Sequence, residues 1–175
     1  PFHTEYFIFD AVETKLYLLD FAEPPSVDIE YQVSGEEQWH TFADARYPMF
    51  CESGKTYHIR IVNYVEQTLD IPIKIVSPPE YDENLNFNGN NSDVGYFLLQ
   101  TTFNSNFKIN VKSAKTSEMT LFDASFNQLT KVTSENISYP IAAASDEVFY
   151  IKVDAGYDGT SDYNLNVEFS PQLLV

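Results

Sequence analysis

Apolar and polar residues alternate one by one along most of this 175-residue chain, and that rhythm constrains the fold more than any single motif. Val27, Ile29, Tyr31 and Val33 interleave with Asp28, Glu30 and Gln32. Tyr57, Ile59 and Ile61 interleave with His58 and Arg60, and Leu69, Ile71, Ile73 and Ile75 with Asp70, Pro72 and Lys74. Tyr163, Leu165, Val167 and Phe169 interleave with Asn164, Asn166 and Glu168. Successive side chains of a strand point to opposite faces. Each stretch therefore sets one face on a core and the other in water, as antiparallel sheets do. No stretch holds a helical period beyond a turn or two. At 43% hydrophobic and 15% aromatic residues, the chain has ample material for a core. The expected fold class is all-β.

Composition shifts once. The first Asn is Asn63, yet the stretch after Ser77-Pro78-Pro79 brings Asn84, Asn86, Asn88, Asn90 and Asn91 among Asp and Glu. Such a stretch reads as a linker, which gives a first module over 1–78, an Asp/Asn-rich linker over 79–92 and a second module over 93–175.

The two modules repeat one another. At an offset of 92, Tyr47-Pro48 falls on Tyr139-Pro140, and Tyr57, Ile59 and Ile61 fall on Phe149, Ile151 and Val153. Ile71, Ile73 and Ile75 then fall on Tyr163, Leu165 and Val167, Val27 and Ile29 on Met119 and Leu121, and Gly35 on Asn127. The earliest strands align at an offset of 90: Tyr6 with Tyr96, Tyr17 with Phe107, Leu19 with Ile109 and Phe21 with Val111. This alignment puts the two-residue change between Ala22–Ser26 and Lys112–Glu118. Two tandem antiparallel β-sandwiches fit the strand spacing.

Several segments of the second module carry a family pattern. Asp93-Val94-Gly95-Tyr96-Phe97 opens it, Met119-Thr120-Leu121-Phe122-Asp123 runs a strand into an Asp turn, and Asn127 follows. Val148-Phe149-Tyr150-Ile151-Lys152-Val153, Gly159 and Asp162-Tyr163-Asn164-Leu165-Asn166-Val167 close it. Over roughly residues 93–169 the chain resembles the bacterial pre-peptidase C-terminal domain, a relative of the collagen-binding domains of clostridial collagenases. The first module keeps Gly54-Lys55-Thr56-Tyr57-His58-Ile59-Arg60-Ile61 but has Ile71 in place of the last family Tyr. The resemblance implies a jelly-roll-like sandwich without a catalytic centre, an accompaniment of secreted enzymes or surface proteins that in some members binds calcium or matrix polymers.

Charge narrows the functions. Twenty-six acids against ten bases give a net charge of −16, which argues against nucleic acid and against docking on an anionic membrane surface. Apolar runs are too short to span a bilayer as helices. The single cysteine excludes an internal disulfide, and no Cys/His set has zinc spacing. Cys51 and His58 offer a thiol–imidazole pair, but the repeat sets Ala143 and Tyr150 at their positions and His58 points outward, so no enzyme is expected.

Calcium is the expected cofactor. Hard cations take several oxygen ligands from loops, and Asp154, Asp158 and Asp162 lie four apart around Gly156 and Gly159, with Glu80, Asp82 and Asp93 as further donors. The alternative is an acidic loop that is merely solvated. Trp39, Phe42, Tyr47 and Phe50 either form a sugar-binding face or fill the first core. Tyr6-Phe7-Ile8-Phe9 is apolar on both faces, and Leu173-Leu174-Val175 is apolar as well. Such segments either pack on their own domain or suit polymerisation by strand addition. The first residue is Pro1, not Met, which reads as a processed or excised form of an exported protein. The functional expectation is a non-catalytic extracellular structural or adhesive protein that self-associates, as in a surface layer or filament. The alternative is a collagen- or carbohydrate-binding accessory module of a secreted hydrolase.

Overall fold

A computed structural model describes residues 3–20, 27–42, 46–64, 73–80, 87–89, 94–155 and 162–171. Those residues form antiparallel sheets and no helix, so none presents a helix long and apolar enough to cross a membrane. The chain divides into two compact units, Pro1–Ser77 and Pro78–Val175.

The first unit holds β1 (His3–Asp10), β2 (Lys15–Asp20), β3 (Val27–Val33), β4 (His40–Thr41), β5 (Pro48–Cys51), β6 (Thr56–Asn63) and β7 (Lys74–Val76). One sheet runs β1-β6-β3-β4 and the other β5-β2-β7. The alternation in β6 is realised residue by residue: Tyr57, Ile59 and Ile61 are buried, while His58, Arg60 and Val62 are half-buried on the other face. Both sheets feed one apolar cluster, with Tyr17, Leu19, Met49 and Cys51 from one and Ile29, Tyr57, Ile59 and Ile61 from the other. Of the strand read over 69–75, only its end falls among the described residues.

The second unit holds β8 (Phe87–Gly89), β9 (Gly95–Gln100), β10 (Ser105–Phe122), β11 (Gln128–Ala143), β12 (Val148–Asp154) and β13 (Tyr163–Pro171). The strand order is β8-β13-β10-β12-β9, and β11 pairs with β10. β8 lies inside the stretch read as a linker, yet it pairs with β13 through Phe87↔Leu165 and Gly89↔Tyr163. β10 serves two neighbours: Ser105–Ser113 pairs with β13 and Glu118–Phe122 with β12. In a straight strand, Phe107 and Phe122 would stand ~50 Å apart. Yet Phe149, beside the Tyr150 that pairs with Phe122, has its ring centre 5.7 Å from that of Phe107. The strand must therefore bend. It does so at the irregularity between Lys112 and Ser117, where extra residues on one strand break the ladder and turn its direction. The polar run Lys112–Glu118 reads as a loop in the sequence, but it is this bend. Residues from both halves of β10 and from β9, β11, β12 and β13 close over one core that includes Leu99, Ile109, Met119, Leu121, Ile151 and Leu165.

Each described ladder of the first unit has a counterpart in the second, which adds the β8–β13 pair. Phe7↔Ile59 of β1 and β6 answers Phe97↔Ile151 of β9 and β12, at offsets of 90 and 92. Leu19↔Ile75 answers Ile109↔Val167, and Tyr17↔Met49 answers Phe107↔Ile141, at the same two offsets. Ile29↔Ile61 answers Met119↔Val153, and Tyr31↔His40 answers Leu121↔Thr130. The offset of 90 thus persists through His40, and 92 begins by Pro48. This corrects the alignment of Val27 and Ile29: Ile29 corresponds to Met119, not to Leu121. The two-residue change lies between Thr41 and Pro48 instead of before β3. β10 is then the fusion of the counterparts of β2 and β3, and β11 of those of β4 and β5.

Candidate functional site

The six expected calcium donors are only partly described. Asp82, Asp93 and Asp158 lie outside the described residues. Asp154 closes β12, half-buried and opposite Glu118, whose carboxylate is held 2.6 Å from Lys131 Nζ. Asp162 is exposed immediately before β13, and Glu80 is exposed where its backbone bridges to Leu98. Among the described residues, no three His, Cys, Asp or Glu side chains gather as a metal-holding group.

Cys51 and His58 do not face each other. Cys51 is fully buried, its Sγ donates to the Met49 carbonyl at 3.6 Å, and burial pushes its pKa up to about 12. A thiol held that high stays protonated at neutral pH and makes a poor nucleophile. His58 lies on the face of β6 opposite to the core.

The chemistry of the first unit gathers on that outer face. Tyr6, Arg60, Glu30 and Thr41 stand side by side across β1, β6, β3 and β4. Arg60 bonds Glu30 at 2.5 Å, a contact that holds the guanidinium above its usual pKa. Its carbon Cζ lies 4.3 Å from the centre of the Trp39 ring, and Trp39 in turn lies 6.3 Å from Tyr6. The result is an aromatic shelf with a guanidinium stacked on it, of the kind a cation–π contact stabilises. Trp39 is thus not core material, whereas Phe42 and Tyr47 pack against the core. Arg60 is a functional candidate that sequence reasoning missed, and Tyr6 was singled out there only as part of an apolar strand. The available signal was a rare basic residue set outward between two inward isoleucines. A groove of about 290 Å³ lies beside β3, lined by Val27, Asp28, Ile29, Glu30, Thr41, Phe42 and Tyr47.

β1 is the second feature of this unit. Among the described strands it lies at the edge of its sheet, and it exposes Tyr6 (63%), Phe7 (41%) and Ile8 (69%). Only Phe9 turns firmly inward, 4.9 Å from the Tyr17 ring. An exposed apolar edge strand offers unpaired backbone groups and an adhesive surface together.

No protein-family model and no curated protein matches this chain.

Proposed function

We propose that this chain is a non-catalytic structural or adhesive protein of the cell exterior, built as two tandem jelly-roll-like β-sandwiches, that associates with copies of itself into a layer or filament. The observation that carries the reading is the edge strand β1 with Tyr6, Phe7 and Ile8 exposed together. Soluble proteins blunt such edges with charge, proline or a covering loop, and this one keeps an apolar run there. Kinship with the pre-peptidase C-terminal family belongs to the same proposal and rests on the strand patterns of residues 93–169. Sedimentation and negative-stain microscopy across protein and salt concentration test it, with ordered polymers as the expected result.

A second reading has its own support. The shelf of Tyr6, Trp39 and Arg60 suits a sugar ring or a collagen strand, because aromatic faces take such apolar surfaces and the guanidinium supplies donors. A chain that stays monomeric yet is retained on collagen or glycan resin, and loses that retention in Trp39→Ala, moves the function to this reading. Calcium binding by the second unit is a separate proposal resting on the acidic run from Asp154 to Asp162. It expects melting of the second unit to rise with millimolar calcium and the rise to vanish in Asp158→Asn with Asp162→Asn. Melting indifferent to calcium and chelator removes it.

A further inference from the structure

β1 and β9 occupy the same place in their respective ladders, yet only β9 has its outer edge covered by a described segment. Leu98 of β9 donates its N–H to the Pro79 carbonyl at 2.9 Å, and Glu80 makes a parallel bridge to Leu98. The covering segment is the chain that follows β7, the last strand of the preceding unit. Beside it Tyr96 and Phe97 are 4% and 2% exposed. At β1 the counterpart of Leu98 is Ile8, and no described residue pairs with that edge beyond β6.

The ladders also identify the segment that would cover the next unit in such a series. At the offset of 92 that relates β7 to β13, Pro79 corresponds to Pro171 and Glu80 to Gln172. We propose that the segment Pro171-Gln172-Leu173-Leu174-Val175 of one copy adds in parallel to the edge of β1 in a second copy, with the Pro171 carbonyl accepting from the Ile8 N–H. Residues 172–175 lie outside the described residues, but their sequence lends two supports. The segment is apolar after Gln172, which suits exposed Tyr6, Phe7 and Ile8. It also carries no charged side chain, so it approaches a partner of net charge −16 without adding side-chain repulsion. The contact joins two different surfaces, so repetition of it gives a ring where the rotation between copies closes and an open chain where it does not. This inference rests on the self-association reading and names its interface.

Because the Leu98 N–H points away from β12, the Ile8 N–H points away from β6, and proline is tolerated at such an edge position. Ile8→Pro therefore removes the docking donor while leaving the β1–β6 ladder intact, and Ile8→Lys is a second variant that keeps the N–H and adds a charge. Both are expected to retain the wild-type circular dichroism and melting and to need a roughly tenfold higher concentration to assemble. Assembly unchanged in both variants overturns the interface while leaving self-association standing. Wild-type protein that never assembles overturns both. Cysteine pairs fix the geometry, with the native Cys51 thiol buried and inert. A mixture of Ile8→Cys and Gln172→Cys proteins is expected to give a disulfide heterodimer that neither forms alone. A dimer from Ile8→Cys by itself shows β1 pairing with β1 and overturns the proposal, as does an assembled mixture that forms no cross-link.

Discussion

The two units carry one set of ladders and treat the outer face in opposite ways. In the second unit, Tyr96, Phe122 and Tyr150 form an aromatic group that Phe126 closes from the turn after β10. Phe126 stacks on Phe122 at 4.3 Å and meets Tyr150 at 5.8 Å and Tyr96 at 6.4 Å. To lie there, Phe126 takes a left-handed backbone, φ 61°, which costs a side-chain-bearing residue about 1 kcal/mol. In the first unit the ladder equivalents are Tyr6, Gln32, His58 and Glu36. Glu36 stands where Phe126 would close the group, and Tyr6 stays exposed. Arg60 and Lys152 occupy equivalent positions but lie over different rings, Arg60 over Trp39 and Lys152 over Tyr96, the counterpart of Tyr6, so a cation–aromatic contact persists while its partner changes. A shared backbone pattern thus fixes where side chains stand and leaves open whether the face is sealed for stability or left for a partner.

The sharpest way to break this comparison is through the cores. Ile59 and Ile151 are equivalent and 1% and 0% exposed. Replacing either by Ala is expected to cost about 2–5 kcal/mol, and to lower only the unit that contains it. Labelling of Cys51 reads the first unit alone, because its thiol becomes reactive only when that core opens, whereas Ala143 stands in its place in the second. Accelerated labelling in Ile151→Ala equal to that in Ile59→Ala would show one cooperative unit instead of two.

Next in size is Gly95. A Cβ there meets the Tyr163 hydroxyl at 2.1 Å and the Phe97 ring at 2.8 Å, and both side chains are buried and unable to give way. Gly95→Ala is expected to lose about 1–3 kcal/mol from the second unit. Its exposed counterpart in the first unit is Glu5, and Glu5→Ala stays within about 0.5 kcal/mol. Equal denaturation midpoints for the two variants contradict the equivalence drawn from the ladders. Phe126→Ala follows, with a loss of about 1–2 kcal/mol from its ring contacts, against nearly nothing for Glu36→Ala, an exposed residue whose carboxylate meets the half-buried His40.

The smallest effect is one of pH. Asp123 accepts from the Asn127 and Ser125 N–H groups at 2.8 and 2.9 Å and from Asn127 Nδ2 at 3.1 Å, and these bonds hold its carboxyl below the ordinary pKa, those of Asn127 most. A lowered carboxylate pKa contributes stability that is present above its unfolded value and is lost as pH falls through the folded one. Acidification below pH ~4 is thus expected to loosen the turn after β10, and Asp123→Asn to flatten that response. The corresponding turn after β3 reverses at Gly35, φ 93°, instead of around a carboxylate, so hydrogen exchange at Ser34–Glu36 is expected to lack this acid step.

Much of the fold was legible in the sequence, and the gaps have physical causes. β6 could be read directly because one of its faces is buried within its own unit. β1 was readable as a strand but not in its faces, since Tyr6-Phe7-Ile8-Phe9 is apolar on both. The repeat was legible, but Ile29 was set against Leu121 because a slip of two residues preserves every inward position. Parity cannot see such an error, and backbone pairing can. The bend in β10 was hidden because Lys112–Glu118 lacks the large apolar side chains whose alternation marks a strand, and such a run resembles a loop. The aromatic shelf was missed because its members, Tyr6, Trp39 and Arg60, lie far apart in sequence and meet only across strands.

The bent hairpin of β10 and β11 bears on the order in which the molecule acquires structure. Its ladder begins at Phe122↔Gln128, across a turn of five residues, and continues to Ser105↔Ala143. Such a zipper closes small loops one after another, so little chain entropy is lost before the first contacts reward it. The described ladders of the first unit offer no equivalent start. β3 and β4 share only Glu30↔Thr41 and Tyr31↔His40, and its longest ladder joins His3–Asp10 to Thr56–Asn63 across some fifty residues. The half made second on the ribosome is therefore built to fold faster than the half made first. Within the first unit β1 waits longest for its intramolecular partner β6, with its apolar side chains exposed throughout, which makes that unit most prone to premature association at that strand.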